Sequence, residues 1–173
     1  MSARKWALLA GTAGCLAMVG CAPDYPDHYI VQIDPGFTPD QQEQVLEAVA
    51  QWNAALPVAE SLGGTQPALS PIVGPCLLDE LAPGTLCVMP EPGAPEGGEV
   101  EGKGGCDESG VGLVYLYPDA IPGSLSQAAA HELGHAMGLG HLAAGNVMCA
   151  SPGCASLTVQ AGDAAAWKAV RGR

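Results

Sequence analysis

Three of the four histidines in this 173-residue chain fall in one short run, His131-Glu132-Leu133-Gly134-His135-Ala136-Met137-Gly138-Leu139-Gly140-His141. On an α-helix, residues four apart differ by only about 40° around the axis. His131 and His135 therefore share a face and can offer ring nitrogens to one ion at about 2.0–2.1 Å. Glu132 sits about 100° from His131, beside that face, where it can reach a water on the ion instead of the ion. On an unbroken helix His141 would lie about 15 Å along the axis from His131, out of reach of the same ion. The chain must turn before His141. Gly138 can adopt the left-handed conformation that ends a helix, and Gly140 adds freedom. A bare His-Glu-x-x-His arises often as two surface histidines. The longer pattern, with three His, one Glu and one Gly, arises by chance on the order of 10⁻⁵ in such a chain, which favours a metal site. Three neutral imidazoles leave one position open, the mark of a catalytic zinc and not a structural one.

His-Glu-x-x-His-x-x-Gly-x-x-His resembles the signature of the metzincin metallopeptidases, and the Gly-Leu-Gly-His ending is most similar to the matrixin branch. That family places a methionine turn beneath the zinc, and Asn146-Val147-Met148 matches it, with Met148 in the floor position. The resemblance implies an α+β fold: a twisted, mostly parallel sheet with a long packing helix, an active-site helix and a C-terminal helix. It implies one catalytic zinc ion on His131, His135 and His141. Glu132 is then the general base of a zinc-dependent endopeptidase that hydrolyses peptide bonds with a metal-activated water. A protein or peptide substrate is expected to lie extended along a sheet edge, with the strand left open. In matrixin-like enzymes the chain just past the methionine turn lines a substrate pocket. The family's structural zinc and calcium ligands cannot be traced. Asp107, Glu108 and Asp119 are acidic loop residues that read as solvated. With seven residues between Cys21 and the first strand, no cysteine-switch zymogen is expected.

The elements that must position these residues are legible in part. Tyr29 to Ile33 is β-branched and aromatic, ends at Asp34-Pro35-Gly36, and reads as a strand and turn. Thr38-Pro39-Asp40-Gln41 combines a capping residue, a proline at the first helical position and a capping-box glutamine. Val45, Val49, Trp52 and Leu56 then recur at helical spacing over about eighteen residues. Residues 57 to 89 suggest short strands between tight turns. Pro90 to Gly105, rich in Gly, Pro and Glu, reads as a surface loop without core. Val111 to Tyr117 has strand character. Ser124 or Ser126 can cap a helix running through the histidines to about Met137. Residues 142 to 156 read as irregular, and a last helix from about Thr158 is expected to bury Ala165, Trp167 and Val170. A sheet covered by helices follows.

The length fits one domain. Residues 1–20 read as an export signal: Arg4 and Lys5 precede an uncharged run from Trp6 to Gly20 that is too short to span a bilayer. Met18-Val19-Gly20-Cys21 resembles a bacterial lipobox, with Thr12-Ala13-Gly14-Cys15 a poorer alternative and an ordinary signal peptide a third reading. Residues 21–28 then form a tether from a lipidated Cys21, and residues 29–173 the catalytic domain. The expected location is the cell envelope, at the outer membrane of a Gram-negative bacterium. In an oxidising compartment the remaining cysteines favour disulfides over a thiolate metal site. Cys76–Cys87 and Cys149–Cys154 are the simplest pairs, leaving Cys106 over, although Cys149 or Cys154 could pair with Cys106 instead. A net charge of −12 argues against a nucleic-acid partner, and a monomer is expected. Two other classes stay open: an envelope lipoprotein that holds zinc or a ligand without turnover, and a structural lipoprotein.

Overall fold

The computed structural model describes residues 26–57, 66–93, 102–106, 110–119, 121, 124–150 and 155–171. The export signal, Cys21, Asp107, Glu108 and Cys154 lie outside these residues. Among the described residues, five strands and three helices are formed: β1 Tyr29–Ile33, α1 Pro39–Ala55, β2 Leu69–Val73, β3 Thr85–Pro90, β4 Gly102–Cys106, β5 Gly112–Leu116, α2 Leu125–Ala136 and α3 Ala161–Arg171. The fold is α+β. The sheet order is β2-β1-β3-β5-β4, with every pairing parallel except β4 on β5.

Helix α1 starts where its sequence directs. The Thr38 hydroxyl accepts from the Gln41 amide at 3.3 Å, and the Gln41 side chain accepts from the Thr38 amide at 2.9 Å. Two orphan donors of the first turn are thereby satisfied, worth roughly 1 kcal/mol at such a cap. Val45, Ala48, Val49 and Trp52 form its buried face. Asn53 clamps the helix to β2, accepting from the Leu69 amide at 2.9 Å and donating to its carbonyl at 2.8 Å.

The main core lies between one face of the sheet and the helices. Val31, Ile33, Leu69, Leu86, Val88, Val114 and Leu116 meet Trp52, Leu133, Met148 and Trp167 there. The other face carries a smaller cluster of Leu81, Cys87, Val111 and Leu113, joined by Cys76, Leu78, Met89 and Tyr115. The expected Cys76–Cys87 disulfide is present and ties the segment over that second cluster to β3. Closing a loop of this length contributes roughly 3 kcal/mol in a chain-entropy account.

Three expectations need correction. The stretch from Pro90 to Gly105 is not all loop, because Pro90 ends β3 and residues 102–105 belong to β4. An edge strand needs only main-chain pairing on one side, and β4 supplies that with three glycines in five residues. The last helix starts at Ala161, later than Thr158. It buries Asp163, Ala164 and Trp167, whereas Ala165 is exposed and Val170 half-buried. Asp163 sets this rotation: its carboxylate accepts from the Gln160 amide at 2.8 Å, fixing the helix start three residues ahead of it.

Candidate metal centre

Helix α2 is buried nearly all round. Alanines 128, 129, 130 and 136 and Gly134 let its neighbours approach closely. Ser124, one of the two expected caps, accepts from the Gln127 amide at 3.4 Å. Trp52 of α1 donates its indole N–H to the Ala130 carbonyl at 2.9 Å, just before the first histidine. A side chain at Gly134 would collide with the sulfur of Met148, which is wholly buried beneath the helix. Met148 thus packs directly against the underside of α2 at Gly134.

The helix ends as the spacing requires. Gly138 has φ +89°, its amide donates to the His135 carbonyl at 2.9 Å, and the Leu139 amide donates to the Gly134 carbonyl at 2.9 Å. This pair of bonds is a Schellman closure with Gly138 at its left-handed position. The freedom expected of Gly140 is not used, since it lies outside the positive-φ glycines. The turn swings His141 back. Ring nitrogens of His131, His135 and His141 all lie within 4.8 Å of one another, and this trio could hold a metal ion. His131 and His135 are half-buried and His141 is exposed, so the site opens on the His141 side.

The hydrogen bonds around the rings favour one protonation pattern. Nδ1 of His131 lies 2.8 Å from the Val147 carbonyl and Nδ1 of His135 lies 2.8 Å from the Leu139 carbonyl. A carbonyl can only accept, so both Nδ1 atoms carry the proton. The two Nε2 atoms then face each other, lone pair to lone pair, at 3.1 Å. That contact is repulsive unless a cation sits between them. Two nitrogens bound tetrahedrally at about 2.05 Å from one ion are about 3.3 Å apart, close to the observed spacing. Burial, the largest cause, pushes His131 below its usual range, and repulsion from His141 adds to this, while the Val147 carbonyl and Asp163 oppose it. Burial and then His131 push His135 down to about 4. Both rings are therefore neutral near pH 7 and ready to ligate.

Compared with known proteins, the chain matches no family model and no curated protein. The site stands on its geometry.

Glu132 is 8 % exposed and lies outside the histidine trio, against β4. Two contributors escaped sequence reasoning. Asp163, with no exposed surface, accepts from the Val147 and Met148 amides at 3.1 Å each. It thereby fixes the segment whose carbonyl orients His131. Its only sequence signal is an acid in the first turn of a helix. The glycines of β4 are the second. A side chain at Gly104 would overlap the Glu132 carbonyl, so α2 rests directly on that strand.

Of the remaining expected residues, Asp119 is exposed. Cys149 is disulfide-bonded, while the expected pairing with Cys154 lies outside the described residues. Cys106, which local pairing left over, is disulfide-bonded as well.

Proposed function

We propose that this protein is a zinc-dependent endopeptidase of the metzincin type, related most nearly to the matrixin branch. The observation that carries the reading is that the Nε2 atoms of His131 and His135 face each other at 3.1 Å while both Nδ1 atoms meet main-chain carbonyls, with His141 completing an open three-nitrogen set. Those residues would hold the ion, and a bound zinc would supply Lewis acidity toward a water and a scissile carbonyl. His131 and His135 are kept in the ligating tautomer by main-chain carbonyls, so neither needs to lose a proton or turn its ring. Glu132 takes a proton from the attacking water and passes it to the leaving amine. Its place beside the trio, and not within it, suits a base better than a ligand. Met148 gives the site an apolar floor.

An extended peptide is expected to pair with a sheet edge. The edges are β2 and β4, and β4 is the one against α2. We further propose export and lipid attachment at Cys21, which would place the domain at the cell envelope. The test is cleavage of a peptide library by the purified protein, with and without a chelator. Chelator-sensitive endoproteolysis restored by zinc is the expected result. Stoichiometric zinc with no cleavage would point instead to an envelope lipoprotein that holds the metal without turnover.

A further inference from the structure

The inner face of β4 is bare where it meets α2, and the two glycines there touch different parts of Glu132. A Cβ on Gly104 would meet the Glu132 main chain, its carbonyl first and its Cα at 3.0 Å. A Cβ on Gly102 would lie 2.6 Å from Glu132 Cγ, 2.9 Å from the Tyr115 carbonyl oxygen and 3.0 Å from Leu116 Cδ2. Gly104 thus seats the helix, and Gly102 seats the side chain. Gly105, on the same strand, faces open space, with nothing within 4 Å of a Cβ.

We propose that Gly102 is a positioning residue: its missing side chain forms a notch in the sheet edge that holds the Glu132 stem and so aims its carboxylate. The inference rests on the reading of Glu132 as the general base. A glutamate stem has several staggered rotamers. A base is useful only in those that bring it within hydrogen-bond reach of its proton. The notch lies against Cγ, the atom whose place decides which rotamers remain. An alanine at 102 would press on that methylene, on a main-chain carbonyl and on a packed leucine. Of these the glutamate stem yields most readily, because torsion about its own bonds moves it. The rings of His131 and His135 keep their carbonyl partners at Val147 and Leu139, which the notch does not touch.

Two measurements test this. In metal-free protein, thermal midpoints of Gly102→Ala, Glu132→Ala and the double variant form a cycle, with Gly105→Ala reporting the ordinary effect of a side chain in this strand. The fall caused by Gly102→Ala should shrink by about half or more once Glu132→Ala removes Cγ. Gly105→Ala should show no such coupling. In the zinc-loaded protein, Gly102→Ala should keep stoichiometric metal and a KM within about twofold, with kcat lowered about 10–100-fold. Additive midpoints in the cycle would overturn the notch whatever the activity. So would an unchanged kcat, or a loss residing in KM or metal content. A coupled cycle in a wild-type protein that binds zinc and cleaves nothing would keep the seat for Glu132 and sink the peptidase reading instead.

Discussion

Nδ1 of His131 and the carbonyl of Val147 are hydrogen-bonded at 2.8 Å, although sixteen residues separate them in the chain. The Val147 amide is in turn held by Asp163. A candidate metal ligand on α2 is thus tied, through a single residue, to a carboxylate at the start of α3. Replacing Asp163 tests that connection. Asn keeps one acceptor oxygen but turns an NH₂ toward an amide that the carboxylate had accepted from. Each buried amide left without a partner costs about 1–3 kcal/mol. Asp163→Asn should therefore lower the stability of the metal-free protein by at least about 1 kcal/mol, and zinc affinity by about 10-fold or more. Chelator competition and denaturant unfolding measure the two effects. Unchanged values in both would refute the connection.

Glu132→Gln separates base from ligand. The amide is nearly isosteric and still fits beside β4, but it cannot take up a proton. Turnover should fall roughly 10²–10⁴-fold with stoichiometric zinc retained. Loss of zinc in this variant, measured by elemental analysis, would show that Glu132 had been given the wrong role.

Gly138→Val places a β-branched side chain at φ +89°, where L-residues are strained. The Leu139 carbonyl and the path to His141 both depend on that turn. Zinc affinity is expected to drop about 10-fold or more. Gly140→Ala, which adds a methyl group in open space, should change it far less. Equal affinities for the two variants in a colorimetric chelator titration would contradict the role of the turn.

The two half-buried imidazoles should make the metal-free protein acid-sensitive. His135 is pushed down to about 4 and His131 is lowered too, against 6.5 for a free histidine. Between those values the unfolded chain binds more protons than the folded one, so stability falls as pH falls from about 6.5 to about 4. Below that range the His135 contribution levels off. The loss between pH 7 and 5 should be on the order of 1 kcal/mol. Urea midpoints in the presence of chelator report it directly, and a midpoint flat across this interval would exclude the effect.

How much of this was readable depended on where each signal resides. Helix α1 announces itself locally, through Thr38, Pro39 and Gln41, and its observed start follows from them. The histidine spacing encodes its own turn at Gly138. Strand β4 has no such local signal. Gly102-Lys103-Gly104-Gly105-Cys106 is a strand because the nearby β5 pairs with it and because α2, about thirty residues on, needs a surface without side chains, and neither cause shows in the residue types of the strand itself. Asp163 was hidden for the same reason, since two of its acceptor contacts reach back 15 and 16 residues. Helix α3 starts later than Thr158 because Asp163 reaches back to the Gln160 amide.

The rings of His131 and His135 are oriented by main-chain oxygens, those of Val147 and Leu139, and among the described residues by no side-chain acceptor. A carbonyl cannot be deleted by a point mutation. Positions 139 and 147 are therefore free to drift among apolar residues of similar bulk without untying the two histidines. The constraint passes instead to the residues that hold the backbone path, Gly138 at one end and Asp163 at the other. In laboratory evolution of this domain, tolerance should be high at the two residues whose carbonyls orient the rings and low at the two that hold the backbone path.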